Sequence, residues 1–582
     1  MTKKLGGRHL KSIYQKTKSW LGNMKGLPVI TILIFSFLLI LPQIITKGVI
    51  AGSDFLFHYN RFYETAMQIK TGNFSYFISL YGFNSSGRIV NALYGPYFAY
   101  FQGLLVLISK NWFSYQLISR FLLGSMAGFS MYSLLRRAGV RKKISLPIAL
   151  LYITTFSIQY WTLRQGFSSW GAAFMPWCLI PAIDFVKDKR ISIPRLAISV
   201  ALMVQVHMLS AFFLICLYLP FYLYGFFKSQ EKIAVLLKGL AAALLSLLLS
   251  SNIWAALIAV GSKNNLVEPF VNSKLYIMTV NQRSIEWLLT PLPLLALVLY
   301  ILYFAFRHWR HFDDFLKTVI GSFFLFLVLS SSIFPWYSIN KLNLGLVNLI
   351  QFPFRFFIPA TILLLLAFAL ILERYFDVKW SPTVNLVLLA LTFISLAHSY
   401  KLQNDKIQIY FSKTPIKQQK HQDTWGNAEE IRAAFQSSDK HELLDLIAKS
   451  TPDYLPAEKN NKENKYNLYE QFVIATTDNF QKSQDDGSLT LTWTSDTQSR
   501  INIPIAKYAD TQLTLNGEPL TSKDYSLTAI GTPRVKQAIG TNTLTVTYKT
   551  SSWFYPVLFS NLLAITATPL YLAYRKWTHK KV

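Results

Sequence analysis

The sequence predicts a polytopic α-helical membrane protein with about 11 to 13 transmembrane helices and a polar α+β or β-sandwich domain before the last helix. Of its 582 residues, 52% are hydrophobic and only 15% are charged, which is too apolar for a soluble enzyme. Apolar runs of about 20 residues, the length that a helix needs to cross a bilayer, recur along most of the chain. One long polar segment, 401–552, interrupts them.

The apolar runs divide the chain into a transmembrane domain, 27–400, and a final helix, 553–574. The runs lie at 27–46, 92–109, 114–134, 144–160, 171–186, 194–226, 233–260, 289–306, 315–334, 357–374, 383–398 and 553–574. The run 194–226 is long enough for two helices. No signal-peptide cleavage pattern follows the first run, which we interpret as a retained signal anchor. The remaining ends, 1–26 and 575–582, are basic tails.

Short basic loops predict which side of the membrane each run faces. The formal net charge is +29. The basic residues cluster between runs, which indicates membrane topology and not nucleic-acid binding. These clusters are the N-terminal tail, 136–143, 187–195, 307–310, 373–379 and 576–581. The positive-inside rule places them, and both termini, in the cytoplasm of a multi-pass cell-membrane protein. Three crossings before Arg136 would place its loop outside, so one segment is expected to re-enter or to lie along the interface. The first candidate is 92–109.

The polar segment 401–552 is predicted to fold outside the membrane. Its part 427–449 has helical periodicity, and a charged linker, 458–465, follows. Three later stretches alternate apolar and polar residues as β-strands do, namely 488–494, 512–515 and 543–548. Asn516-Gly517 is a strong hairpin signal. A small β-sandwich that covers the site or meets a wall polymer fits this pattern.

The first loop predicted to lie outside, 47–91, carries an acid, a base and a cation close together. On a helix, Asp54, His58 and Arg61 stand at i, i+4 and i+7 and share one face. A carboxylate at this position can take a proton from an acceptor hydroxyl while a lipid-borne donor is held in the bilayer. The alternative is an ion-paired, hydrogen-bonded stretch that only orders the loop.

Several short stretches resemble, in their order and spacing, one family of bacterial membrane proteins. They are Gly-Ser-Asp-Phe-Leu-Phe-His-Tyr-Asn-Arg at 52–61, Gly-Phe-Asn-Ser-Ser-Gly at 82–87, Tyr-Gly-Pro at 94–96, Tyr-Trp-Thr-Leu-Arg at 160–164, Gln-Val-His-Met-Leu-Ser at 205–210, Gln-Phe-Pro-Phe-Arg at 351–355, Pro-Asp-Tyr-Leu-Pro at 452–456 and Leu-Asn-Gly-Glu at 515–518. The chain resembles proteins labelled "6-pyruvoyl-tetrahydropterin synthase-related", relatives of the YfhO-like proteins with a GT-C glycosyltransferase fold. The label does not describe the chemistry here, because the clustered histidines of a zinc-dependent pterin enzyme are absent.

The resemblance implies a transferase that uses a polyprenyl-phosphate sugar at the outer face and modifies a surface polysaccharide or teichoic acid. In such folds the acidic residue of the first outer loop is the presumed base, and Asp54 occupies that position. It would deprotonate the acceptor hydroxyl, with inversion at the anomeric carbon. Cations on the same side would stabilise the leaving phosphate, and the candidates are Arg355, Arg164 and Arg61.

Two further residues, Gln351 and His207, are predicted to bind substrate. Gln351 and Arg355 stand at the mouth of an apolar run, where an arginine reaches the headgroup layer. A snorkelling interfacial arginine is the alternative. His207 interrupts an apolar stretch and is a functional candidate by default, although a neutral histidine bonded to a neighbouring helix explains it equally well.

Two questions about the site stay open at this level. In the family, a glutamate usually follows the arginine equivalent to Arg164, but Ser168 and Ser169 occupy that region here. This departure weakens any acidic role and points to a different acceptor. Asp54 and His58 also offer two ligands for a divalent cation, although two protein ligands are few for a metal site.

Two other classes of function compete with the transferase. A transporter or flippase of lipid-linked saccharides predicts charged residues along a path through the bilayer and internal repeats, and no convincing repeat is present. A non-catalytic envelope assembly protein would use the polar domain to bind wall polymer, for which so many spans are excessive. Neither a P-loop nor a dinucleotide-binding glycine pattern stands between a strand and a helix, which argues against an ATP-driven pump.

Overall fold

The computed structural model describes residues 26–342, 344–376 and 382–578. Almost all of the predicted N-terminal basic tail and the last four residues lie outside this range. Residues 27–410 are mainly helical. The helices of this region are α1 Leu27–Thr46, α2 Phe55–Thr71, α3 Pro96–Ile108, α4 Trp112–Arg137, α5 Lys142–Ile153, α6 Phe156–Arg164, α7 Ser168–Asp188, α8 Ile193–Val206, α9 Met208–Lys228, α10 Lys232–Leu249, α11 Ser251–Gly261, α12 Glu286–Leu289, α13 Pro293–His308, α14 Asp314–Ser330, α15 Trp336–Lys341, α16 Gly345–Ile350, α17 Phe357–Tyr375 and α18 Pro382–Tyr410.

Eight helical segments of the described chain are long and apolar enough to cross a membrane. They are Leu27–Thr46, Lys142–Arg164, Ser168–Asp188, Met208–Lys228, Lys232–Leu249, Pro353–Tyr375, Leu386–Tyr410 and Phe554–Thr578. The protein is therefore a multi-pass membrane protein by this measure, with fewer full-length spans than the 11 to 13 expected from about 20-residue apolar runs. The difference arises because the runs 92–109, 194–206, 289–306 and 315–334 form the shorter helices α3, α8, α13 and α14, with 13, 14, 16 and 17 residues. The helix α4, with 26 residues, is long enough but is not among the eight apolar spans.

The helix α3 corresponds to the run 92–109, whose topology the charge rule left unsettled. The side chain of Gln436 contacts the Lys47 carbonyl, and the Asn111 amide donates to the Gln436 carbonyl at 3.0 Å. Residues 47 and 111 therefore lie at the same end of the bundle. The chain therefore returns to the same end between them, and the expectation that this run re-enters or lies along the interface stays a prediction.

Basic residues and their acidic partners come together at the other end of the bundle. Arg141, at the start of α5, pairs with Glu373 near the end of α17 at 2.6 Å. Arg137, at the end of α4, pairs with Asp184 near the end of α7. Within the described residues, parts of the basic loops 136–143, 187–195 and 373–379 thus meet at one end, opposite to Asp54. The orientation of this end in a cell stays a prediction.

The boundary of the polar domain differs from the expected one. The helix α18 continues past residue 400 to Tyr410 because it packs against α1, where Tyr400 donates to the Leu38 carbonyl at 2.6 Å and Gln403 to the Leu39 carbonyl at 3.0 Å. The final helix, α22, is Phe554–Thr578. We call residues 411–553, between these two helices, the polar domain.

The polar domain contains short helices and three small antiparallel sheets. Its elements are β1 Gln422–Thr424, α19 Ala428–Gln436, α20 His441–Leu446, β2 Ile447–Lys449, α21 Lys465–Tyr469, β3 Gln481–Asp485, β4 Ser488–Ser495, β5 Arg500–Asn502, β6 Thr511–Leu515, β7 Glu518–Pro519, β8 Tyr525–Leu527, β9 Pro533–Lys536 and β10 Gly540–Tyr548. One sheet has the order β3-β4-β10-β6-β7, a second has the order β5-β9-β8, and β1 pairs with β2.

The alternating stretches of the sequence form the centre of the largest sheet. Leu491 lies opposite Leu544 in the β4–β10 ladder, and both are fully buried. Asn516 and Gly517 have φ of 51° and 87° and connect β6 to β7, as the hairpin signal predicts. The strand predictions are therefore confirmed. The helical prediction over 427–449 is correct for α19 and α20 but wrong for 447–449, which pairs with β1 as a strand.

A left-handed turn in the loop after α2 joins the transmembrane domain to the polar domain. Phe83, Asn84 and Ser85 have φ of 55°, 58° and 47°, values that residues other than glycine rarely adopt. The Glu64 carboxylate holds the chain that enters this turn by accepting four hydrogen bonds. It accepts from the backbone N–H groups of residues 80, 81 and 82 at 2.9, 2.7 and 2.7 Å and from the Gln68 amide at 2.7 Å.

Candidate active site

Four of the predicted site residues lie at helix ends, at the end of the bundle opposite the Arg137–Asp184 and Arg141–Glu373 ion pairs. Asp54 immediately precedes α2, and Arg164 is the last residue of α6. His207 stands between α8 and α9, and Arg355 stands just before α17. Segments far apart in sequence thus meet in one region.

The segment that carries Asp54 is fixed directly against Arg164. The Asp54 N–H donates to the Arg164 carbonyl at 3.3 Å, and the Ser53 hydroxyl donates to the same oxygen at 3.4 Å. The Gln165 side chain bonds the Gly52 N–H and donates to the Ile50 carbonyl at 3.0 Å. A Cβ at Gly52 would lie 2.3 Å from Arg164 Cα, so only glycine permits this approach. The acid and the arginine are therefore held together by the backbone.

The Asp54 carboxylate is partly exposed and is surrounded by cations. Burial raises its pKa, and Lys449, the Ser53 hydroxyl, Arg355 and Arg164 each lower it. Over the described ranges, no lysine or arginine nitrogen lies within 4.0 Å of its oxygens. The carboxylate is thus held in a positive environment without being locked into an ion pair, and it remains free to accept a proton.

Arg164 has an acidic partner that the sequence did not reveal. Its guanidinium donates to both oxygens of Glu286 at 3.2 and 3.1 Å. Ser169, in the region where the resembled family carries a glutamate, is buried and accepts from the Trp161 N–H at 2.9 Å. Glu286, at the start of α12, therefore supplies the carboxylate that pairs with this arginine.

Tyr160 lies between the groups that the sequence singled out. Its ring packs against Trp287 at 5.3 Å and Phe354 at 6.3 Å between ring centres. Its hydroxyl is within electrostatic reach of Asp54, Arg355, Arg164 and Glu286. Tyr160 thus places a hydroxyl group near the acid and both arginines, and it was not among the predicted site residues.

Gln351 orients Arg355 from the preceding turn. The Gln351 side-chain oxygen accepts from Arg355 at 2.7 Å, and its amide donates to the Phe270 carbonyl at 2.7 Å. Arg355 also donates to the Ile350 carbonyl at 3.1 Å and lies 4.9 Å from the centre of the Phe352 ring. Among the described contacts, Gln351 therefore holds the arginine and the neighbouring loop in place.

His58 is separated from Asp54 by its surroundings, although the helix α2 forms as predicted. Its ring stacks on Phe167 at 4.6 Å and packs against Trp161 at 5.6 Å, and only 4% of the residue is exposed. Burial, with smaller contributions from Arg61 and His207, lowers the pKa of His58 well below its usual value. The imidazole is neutral and enclosed by aromatic rings, an environment for packing rather than for proton transfer with substrate.

Arg61 and His207 meet around Tyr94. The Arg61 guanidinium lies 4.2 Å from the centre of the Tyr94 ring, and its Nε donates to the Asn91 oxygen at 3.1 Å. His207 contacts the same ring at 6.0 Å, and its Nδ1 accepts from the Ser210 N–H at 3.2 Å. His207 is therefore the residue at which the run 194–226 breaks into two helices, and not a residue in the middle of a span.

Two residues of the polar domain join the site without having been predicted. Lys449 donates to the Ser53 carbonyl at 2.7 Å and to the Gln419 side chain at 2.6 Å. Arg88 donates to the Asp453 carbonyl at 2.8 Å. Burial raises the pKa of the Asp453 carboxyl to about 6, with Arg88 lowering it and Asp54 raising it. Asp453 belongs to Pro-Asp-Tyr-Leu-Pro, which the sequence analysis noted only as part of the resemblance.

A divalent cation finds few protein ligands here. Within 26–342, 344–376 and 382–578, no three histidine, cysteine, aspartate or glutamate side chains are grouped as metal ligands. The predicted pair, Asp54 and His58, includes an imidazole packed among aromatic rings. These residues do not form a ligand set for such an ion.

Comparison with solved structures gives a distant likeness. No protein-family model matches the chain, and no curated protein matches it, so the resemblance to YfhO-like proteins stays a prediction. The crystal structure of the Archaeoglobus fulgidus oligosaccharyltransferase tethered with an acceptor peptide is similar with a TM-score of 0.39 and 14% identity. The likeness covers 69% of this chain and 57% of that chain, little more than half of its length. At this TM-score the likeness carries no argument about activity.

Proposed function

We propose that this protein is an inverting membrane glycosyltransferase of GT-C type. It transfers a sugar from a polyprenyl-phosphate carrier to a cell-surface glycopolymer, with Asp54 as the general base. The observation that carries the proposal is the Asp54 carboxylate, which lies among Lys449, Arg355 and Arg164 where the ends of apolar helices meet.

The reaction needs a base for the acceptor hydroxyl and cations for the leaving phosphate. An ionised Asp54 accepts the hydroxyl proton as the oxygen attacks the anomeric carbon and the bond to the carrier phosphate breaks. Arg355 and Arg164 stabilise the charge that grows on that phosphate. Arg355 lies two residues before the buried helix α17, a position from which a cation reaches a lipid headgroup. The polyprenyl chain remains in the bilayer throughout.

The side of the membrane follows from charge. The ion-paired, basic end of the bundle is proposed to face the cytoplasm, so the Asp54 end faces outward. Nucleotide sugars are absent outside the cell, which requires a lipid-linked donor there. The polar domain then lies outside and contacts the acceptor, a wall polysaccharide or a teichoic acid.

The transporter alternative predicts charged groups along the helices instead of at their ends. The buried Arg120 of α4 is such a group, but its guanidinium donates to the Thr162 carbonyl at 2.8 Å and the Ile50 carbonyl at 3.3 Å. These bonds explain Arg120 as a brace between the two segments that carry Asp54 and Arg164. The gathering of acid and cations at one end favours an enzyme over a conduit.

The test compares surface polymers from cells that lack the protein and carry wild type, Asp54→Asn or Asp496→Asn. Asp496 is an exposed aspartate of the polar domain and serves as the matched control. We expect one sugar to disappear on deletion, wild type and the control to restore it, and Asp54→Asn to lower it by about 10²-fold or more. Full restoration by Asp54→Asn would show that Asp54 is not the base. That outcome would favour the transporter or the assembly protein, whereas an unchanged sugar composition on deletion would contradict the transferase and the transporter alike.

A further inference from the structure

Lys449 connects the polar domain to the backbone that presents Asp54. Its ammonium donates to the Ser53 carbonyl, one residue before the acid, and to Gln419. The Gln419 amide in turn donates to the Gly52 carbonyl at 3.2 Å. Lys449 is the last residue of strand β2, and it lies opposite Gln422 of strand β1. The contact is therefore built on a sheet and not on a free loop.

The third proton of the Lys449 ammonium is not used by either of these bonds. An ammonium group has three donors, and the two acceptors named above account for two. Of the cations that act on the Asp54 carboxylate, Lys449 has the largest effect, ahead of Arg355 and Arg164. The other ionisable groups that interact with this carboxylate are Tyr94, Tyr160 and Asp453.

We propose that Lys449 is a positioning residue that completes the active site: when the polar domain is docked, it holds the Ser53–Asp54 backbone and keeps the base ionised. The inference rests on the proposed function, since it assigns a partner to the proposed base. Its consequence is that the base is competent only while the polar domain is seated on the transmembrane domain. Acceptor entry and activation of the base are then coupled in one movement.

A pH profile separates this role from a purely mechanical one. Because Lys449 lowers the pKa of Asp54, its loss raises that pKa, and the acidic limb of the activity profile moves to higher pH. The assay measures transfer of the polymer-bound sugar, between about pH 5.5 and about pH 8.5, in membranes that contain the endogenous donor and acceptor. Lys449→Met should lose about tenfold at the acidic end and approach wild type at the alkaline end. Lys449→Arg should retain the wild-type profile.

A zero-length crosslink provides a readout that needs no activity. A water-soluble carbodiimide activates the Asp54 carboxylate, and the Lys449 amine then displaces the urea and forms an amide bond. Mass spectrometry of the full-length protein should find this crosslinked peptide pair in wild type. Lys462→Met, which changes an exposed lysine of the same domain, should leave both the crosslink and the pH profile unchanged.

The outcomes distinguish the two proposals. If wild-type membranes show no Asp54-dependent transfer, the proposed function fails. If transfer is present but Lys449→Met keeps the wild-type profile, or loses activity equally at every pH, Lys449 is a structural latch and the inference is overturned. An absent crosslink in active wild type overturns it as well.

Discussion

Glu64 is the carboxylate on which the turn at 83–85 depends, and the substitution Glu64→Gln tests this directly. The residue is 1% exposed. One of its oxygens accepts from the Leu80 N–H and the Gln68 amide, and the other from the N–H groups of Tyr81 and Gly82. A glutamine can place only one acceptor oxygen here. In either orientation its NH₂ group faces two donors.

The magnitude follows from this count of bonds. Hydrogen bonds to a charged group contribute about 1.5 to 3 kcal/mol each, so the loss of two costs about 3 to 6 kcal/mol. Glu518→Gln is the matched control, because Glu518 is exposed at the β6–β7 hairpin and its replacement should change stability by less than about 0.5 kcal/mol.

The assay is thermal unfolding of the detergent-solubilised full chain, followed by tryptophan fluorescence at one fixed scan rate. We expect Glu64→Gln to unfold several degrees below wild type and Glu518→Gln to match wild type. Limited proteolysis should also cut the loop 72–88 faster in Glu64→Gln. If the two variants unfold at the same temperature, the Glu64 carboxylate does not stabilise the turn as argued.

Three further changes test neighbouring parts of the structure. In Gly52→Ala, the added Cβ would lie 2.3 Å from Arg164 Cα, so Asp54 should shift and the surface sugar should fall by about 10²-fold. The control Gly321→Ala, with no atom within 4 Å of its added Cβ, should leave the surface sugar unchanged. Burial lowers the pKa of Lys482 to about 7, so between that pH and its usual pKa of 10.5 the unfolded state binds more protons and the stability of the fold rises with pH. From pH 7 upward, the melting temperature of wild type should therefore rise relative to that of Lys482→Met. A difference that stays constant with pH would contradict this. The side chains of Arg164 and Glu286 are 43% and 40% exposed, so Glu286→Gln should lower the free energy of unfolding by less than about 1 kcal/mol. The same variant should nevertheless lower the surface sugar. An unchanged sugar level would show that Arg164 needs no carboxylate partner.

The ends of apolar runs were a good guide to the site. The spacing in the first outer loop predicted Asp54, and the cations expected on the same side predicted Arg164 and Arg355; these three do converge. Helical periodicity was a poorer guide to His58. It correctly gave the helix α2, but it could not show that Phe167 and Trp161 pack against that ring.

Contacts between distant segments were outside the reach of the sequence. Lys449 lies in a stretch whose local pattern predicts a helix, and its position beside Ser53 depends on how the polar domain docks. Glu286 looked like an ordinary loop acid because its partner, Arg164, is far away in sequence. The left-handed conformation of Phe83 was equally hidden, since it is imposed by the bonds that Glu64 and Asn60 make to the chain around it.

The polar domain is attached to the helix bundle at both of its ends. At its start, Tyr400 of α18 bonds α1; at its end, Asn561 of α22 donates to the Leu248 carbonyl at 2.9 Å and accepts from Tyr97 at 2.7 Å. Docking is therefore a unimolecular step, in which the domain meets its seat at an effective concentration on the order of millimolar. Weak contacts suffice to close such an equilibrium, and a domain that lifts to admit a long polymer reseats without a search through solution.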